Sequence, residues 1–290
     1  MKPKIYDCFT FFNELDLLEI RLNILNDYVD YFVIVESTVT FTSKPKELYF
    51  ENNKEIFSKF KDKIIHVIIN DTPNNFYNIE YKVIPTNQYE INRNKILKHV
   101  DTSTGWGRHE TQWGVETYQR ECILQGLNNL KDNDIIIISD LDEITNPNKI
   151  NGIKENFNIN NVYNLKQKMY CYYLNIFKED NWSGPKICSY NLLKNTSINL
   201  LRQNKFTNNI IENGGWHFSF MGGKDKIKEK LEAYSHQEFN NEYYKNAIEN
   251  NMTTNQDPFF RGTMKQVQID NTYPEYIINN QDKYKHLIKF

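Results

Sequence analysis

The sequence predicts an α/β fold: a Rossmann-like, mostly parallel central sheet continued by an aromatic-rich, mixed C-terminal half. Three observations predict it. Strand and helix signals alternate through the first half, the order that builds parallel sheets. Residues 134–138 (DIIII) carry four consecutive isoleucines, which suits a central strand covered on both faces. Beyond residue 160 the alternation fades and tyrosine, phenylalanine and tryptophan take its place. No internal repeat or linker-like segment divides the 290 residues, so a single domain over 1–290 is expected.

Residues 5–12 form a short apolar, aromatic run that reads as the first strand. Asn13 then offers a helix cap with Asp16 three residues on, and Leu15, Leu18, Leu22 and Leu25 mark one face of an amphipathic helix. Residues 31–35 (YFVIV) and 63–69 (KIIHVII) read as buried strands, separated by a helix near 54–60. A long helix is expected over 112–130, with Val115, Tyr118, Cys122 and Leu127 inward, and the isoleucine strand follows. Further strands are expected at 161–175, 186–193 and 214–221, then a helix from about Lys224 with Ile227, Leu231 and Tyr234 on one face. After residue 240 only two weak helix signals remain.

Composition narrows the function. The 35 Lys and Arg against 37 Asp and Glu give a net charge of -2, without the basic field of a nucleic-acid binder. Nineteen tyrosines and 18 phenylalanines exclude a disordered chain. The four cysteines are scattered in apolar stretches and read as reduced thiols, neither a disulfide framework nor a zinc knuckle. No signal peptide or apolar membrane span is visible, so a soluble, cytoplasmic protein is expected.

The sharpest chemical feature follows the isoleucine strand: Ser139-Asp140-Leu141-Asp142-Glu143. Ligands of open α/β sheets sit beyond the carboxyl ends of the strands, and acids crowded there repel unless a cation or hydrogen bonds compensate. Hard oxygens in that position suit Mg²⁺ or Mn²⁺ holding a diphosphate; the plainer reading is a solvated turn. Glu36, at the end of YFVIV, suits a ribose or base contact, or an ordinary cap. Arg120, four residues after Glu116, suits a phosphate contact or a surface ion pair, and Arg93 is a weaker case. Gly214–Gly223 frames Trp216, suited to stacking on a sugar, and His217, suited to a metal or phosphate or to a satisfied core position. His236 and Glu238 follow in Ser235-His236-Gln237-Glu238. Tyr172, Tyr173 and Trp182 suit either a sugar-stacking platform or aromatic core.

These blocks, in this order, resemble glycosyltransferase family 17, whose best-known members add the bisecting GlcNAc of N-glycans. The carrying segments are Asp7-Cys8-Phe9, residues 12–22 (FNELDLLEIRL), residues 29–37 (VDYFVIVES), Ser139-Asp140-Leu141-Asp142-Glu143-Ile144, and Gly214–Gly223 with Ser235-His236. The resemblance implies a GT-A fold with a nucleotide-sugar-binding half, 1–143, and an acceptor-binding half, 144–290. It implies inverting transfer from a nucleotide-sugar donor, UDP-GlcNAc, to a glycan or glycoprotein acceptor, with Mn²⁺ or Mg²⁺ as cofactor. Asp140 and Asp142 fall on the family's Asp-x-Asp. Asp142 and His236 are expected at the metal, Asp140 at the metal or ribose, and Glu36, Arg120, Trp216 and His217 at the donor. Tyr172, Tyr173 and Trp182 are expected at the acceptor. The base that takes the acceptor proton is expected at Asp225, after Gly222-Gly223, with Glu238 and Asp180 as rivals. Two departures stand out: the membrane anchor of Golgi members has no counterpart here, and Thr145-Asn146 intervene before Pro147. A nucleotidyl- or phosphotransferase would want a Gly-rich loop after the first strand, where Phe12-Asn13-Glu14 offers none. A non-catalytic sugar-binding protein would have no need of the three intact acids.

Overall fold

The computed structural model describes residues 2–102, 110–203 and 209–290. Strands β1 (Ile5–Phe11), β2 (Tyr31–Ser37), β3 (Ile64–Ile69) and β4 (Ile135–Asp140) are mutually parallel in the order β3-β2-β1-β4. The isoleucines of β4 divide as the pleat demands. Ile135 and Ile137 pack with Leu18, Leu22 and Leu25 of the Leu15–Leu25 helix, while Ile136 and Ile138 pack with Ile96, Val100 and Val115 on the opposite face. Both faces are thus covered, as a run without polar alternation requires.

Beyond β4 the sheet turns mixed. Strands β5 (Glu143–Thr145), β6 (Tyr163–Cys171), β7 (Ile176–Trp182), β8 (Lys186–Ser189), β9 (Asn209–Ser219) and β10 (Lys265–Gln266) bring it to ten strands. β8 is antiparallel to β4 and carries the sheet across to β6, which runs parallel to β9, and β9 pairs antiparallel with the short β5. The expected α/β sheet, parallel first and mixed after, is the one observed. The C-terminal segment returns to the N-terminal helix: Tyr284 donates to Glu19 at 3.0 Å, and Tyr273, Ile277 and Leu287 join the core on that side.

Several local expectations change. The first helix takes Glu14, not Asn13, as its cap residue, and no side chain closes that end. The long helix is α-helical only over Thr111–Glu121 and tightens to a 3₁₀ turn at Cys122–Gly126. The region near 54–60 is likewise 3₁₀, after a short α-helix at Tyr49–Asn53. β8 ends at Ser189, whose side chain caps the helix Tyr190–Leu193. The Gly214-Gly215 pair serves the sheet rather than a ligand: Gly215 has φ of +144°, and a Cβ there would strike the carbonyl oxygen of Ile144. All four cysteines are buried free thiols.

Candidate active site

The strand order places a topological switch point between β1 and β4, since the chain leaves β1 first toward β2 and later returns on its other side. Thr10 lies abreast of Asp140 in the β1–β4 register, so the acid turn opens at that crevice. A cavity of about 360 Å³ lies there, walled by Thr10 near the end of β1 and Phe12 just after it, by Asp140 and Asp142, and by Tyr234, His236 and Phe259 from the C-terminal half.

The acid turn is held from behind by Arg21. This arginine is fully buried on the apolar face of the first helix. Its Nε and Nη2 donate to the two carboxylate oxygens of Asp7 at 2.8 and 2.6 Å, and Nη2 also donates to Ser139 Oγ at 2.5 Å. Nη1 donates to the carbonyls of Asp140, Leu141 and Glu143 at 2.8, 3.0 and 3.1 Å. Charge-assisted bonds to three of the turn's carbonyls fix where the carboxylates point.

The two aspartates then have different partners. Asp140 accepts from Arg202 Nη2 at 2.6 Å and sits 3.5 Å from Arg120 Nη2. Asp142 accepts from Lys230 Nζ at 2.9 Å and lies 3.5 Å from His217 Nε2. Burial pushes the Asp142 carboxyl up, but Lys230 and His217 more than reverse this and hold it well below the usual carboxylate range. The same contest, won by Arg202 and Arg120, lowers Asp140. Glu143 is fully buried and accepts from its own turn's Asp140 N–H at 2.8 Å, from Trp182 Nε1 at 2.6 Å and from Arg202 at 2.8 Å. It braces the turn and does not face the cavity. Arg120 is itself held by Glu116 at 2.6 Å and Asn199 Oδ1 at 2.9 Å.

Of the residues singled out by sequence, the cavity gathers Arg120, Asp140, Asp142, Trp182, His217 and His236. Others lie elsewhere. Glu36 is fully buried and accepts from the N–H groups of Phe50 and Glu51, with His66 at 3.2 Å, so its carboxylate caps the Tyr49–Asn53 helix. Trp216 is buried core, its Nε1 donating to the Thr272 carbonyl. Tyr172 and Tyr173 pack into the cluster around Cys171 and Phe220 instead of the cavity wall. Asp225 is exposed in the first turn of the Gly223–Ala233 helix, and Asp180 is exposed on β7. Glu238 is an exposed partner of His236, Oε1 to Nδ1 at 2.7 Å. His236 is therefore engaged with Glu238 and with the ring of Trp113, and the expected three-residue metal shell does not form. Arg93 is paired with Asp71 at 2.6 Å, away from the acids.

Among the described residues, no group of three or more His, Cys, Asp or Glu side chains is arranged to hold a metal. The donor set nonetheless suits one kind of ion. Mg²⁺-type sites commonly use one or two carboxylates and complete the shell with substrate phosphates and water. Asp140 and Asp142 supply two such hard-oxygen ligands beside the cavity.

Sequence reasoning missed Arg21, Lys230 and Arg202. Arg21 and Lys230 did carry a signal: each is a charged residue three places after a buried apolar one, Leu18 and Ile227, on a face that turns inward. Arg202 gave none. Its helix, Ile198–Gln203, is anchored by Glu121, which accepts from Ser197 Oγ and the Asn199 N–H.

Among solved structures, the chain is similar to the mannosyltransferase PcManGT from Pyrobaculum calidifontis, solved with GDP-Man and Mn²⁺. The two share 11% identity over 67% of this chain and 47% of that one, with a TM-score of 0.35. This chain thus spans about half the length of that relative. It is also similar to 4-diphosphocytidyl-2C-methyl-D-erythritol synthase, at 11% identity over 74% and 90% of the two chains and a TM-score of 0.38. No curated protein matches it. The family model of glycosyltransferase family 17 matches residues 1–83 and 80–289, which takes in β1, the first helix, the acid turn and every wall of the cavity. The chain belongs to glycosyltransferase family 17.

Proposed function

We propose that the enzyme transfers N-acetylglucosamine from UDP-GlcNAc, with inversion, to a glycan or glycoprotein acceptor, using Mn²⁺ or Mg²⁺. The observation that carries this reading is the Asp140–Asp142 pair, clamped at the switch point beside a cavity with aromatic walls. Family membership supports the choice of donor. Its diphosphate lies at the two aspartates and Arg120, with the nucleoside toward Thr10 and Phe12. A divalent ion on Asp140 and Asp142 would neutralise charge on the departing diphosphate. Arg120, held by Glu116 and Asn199, contributes fixed positive charge to the same task.

The acceptor takes the side walled by Trp182, Phe220, Tyr234 and Phe259, whose ring faces suit a sugar. Glu238 and His236 form the proton-accepting pair: His236 lines the cavity and Glu238 orients its imidazole. The test combines thermal shift with a transfer assay, using UDP, GDP and their sugars with Mn²⁺ or EDTA. UDP-GlcNAc is expected to raise the melting temperature only with the metal, and Asp142→Asn to abolish that rise. His236→Asn should keep the rise and lose transfer. Absence of any metal-dependent nucleotide shift in the wild type overturns the reading.

A further inference from the structure

Lys230 presents an ammonium with two carboxylate partners. From the third turn of the Gly223–Ala233 helix its Nζ reaches Asp142 Oδ2 at 2.9 Å and stands 3.6 Å from Glu14 Oε1. Its side chain is 26% exposed and lines the cavity, so it has room to move between them. The Asp142 carboxylate is 8% exposed and its second oxygen faces His217. An incoming divalent ion therefore needs oxygens that a resident cation already holds. Two cations cannot share them without repulsion, and that repulsion is strong where water is scarce.

We propose that Lys230 is a two-position counter-ion. It closes Asp142 in the nucleotide-free enzyme and moves to Glu14 or to the donor's phosphate when a divalent ion binds. The inference rests on the reading of Asp142 as an ion ligand. Its consequence is an order of assembly: the ion alone binds weakly, and ion and nucleotide diphosphate strengthen each other by the same factor. Glu14 gives the displaced ammonium a place to go, so the release of Asp142 leaves no unpaired charge.

The test is Mn²⁺ titration without nucleotide, following the free aqueous ion by electron paramagnetic resonance. Lys230→Gln and Lys230→Met should each tighten Mn²⁺ binding by about tenfold or more, since each removes a like charge next to the ion. Lys230→Met replaces the ammonium that lies 5.6 Å from the Phe220 ring centroid with an apolar chain, which guards against loss of packing. Lys230→Arg, which keeps the charge, should bind as weakly as the wild type. Glu14→Gln should weaken binding further, and that effect should vanish in the Lys230→Gln background, as a double-mutant cycle reads out. If the neutral variants bind Mn²⁺ no more tightly than the wild type while Asp142→Asn still abolishes binding, the counter-ion role is overturned and the ion site stands. If no variant shows Asp142-dependent Mn²⁺ binding, the ion reading itself falls, and this inference with it.

Discussion

Arg21 is the residue on which the geometry of the acid turn depends, although it does not itself line the cavity. Its guanidinium lies over the ring of Phe9 and is otherwise surrounded by Asp7, Ser139 and the turn carbonyls. Arg21→Met should destabilise the protein by about 3–5 kcal/mol in urea unfolding, because the buried Asp7 carboxylate is left without its counter-charge. Asp7→Asn in the same chain should recover part of that loss, so the two changes will be less than additive. At this scale the sequence disclosed the acids but not what holds them. Asp140 and Asp142 stand in a motif, whereas Arg202 and Lys230 reach them from 62 and 88 residues away, a separation no local pattern records. Glu36 misled for a related reason: a carboxylate at a strand end serves a ligand or a helix N-terminus equally well, and only the position of Phe50 decides.

Among elements, the runs that were legible are those buried on both faces. β1, β2 and β4 announce themselves by apolar content, while β7 (IFKEDNW) hides its strand character behind Lys178, Glu179 and Asp180. β5, only three residues long, exists because β9 is there to pair with it. The connection between β7 and β8 also bears on the site. A Cβ at Gly184 would overlap Glu143 Oε1 and stand 2.6 Å from Arg202 Nη1. Gly184→Ala should therefore cost about 1–3 kcal/mol of stability, as overpacking does. It should also weaken nucleotide-sugar binding by more than the loss of fold explains, since Glu143 Oε1 can no longer accept from Trp182 Nε1 and from Arg202, which also holds Asp140. Calorimetric titration of the folded variant measures this.

For the molecule as a whole, near-neutral net charge conceals a strongly charged centre in which acids and bases are matched across the sheet. Asp140 and Asp142 both have lowered pKa values, so the folded protein binds fewer protons than the unfolded chain as acid is added. Their contribution to stability is complete above the ordinary Asp value of about 4 and is lost as pH falls below it. The melting temperature should drop between about pH 4.5 and 3, and drop less steeply in Asp142→Asn. No helix among the described residues is long and apolar enough to cross a membrane.

The clasp between the first helix and the fourth strand also sets a timetable. Arg21 meets its three carbonyl partners across 119 to 122 residues of intervening chain. Contacts so distant in sequence pay their loop-closure entropy before they return anything, and they form late. A nascent chain can pair β1 with β2, and β2 with β3, long before Glu143 has been synthesised. Until then the guanidinium waits with Asp7 as its sole charged companion. Catalytic competence is therefore among the last properties the emerging polypeptide acquires, and a chain halted short of residue 143 has a half-sheet without an enzyme.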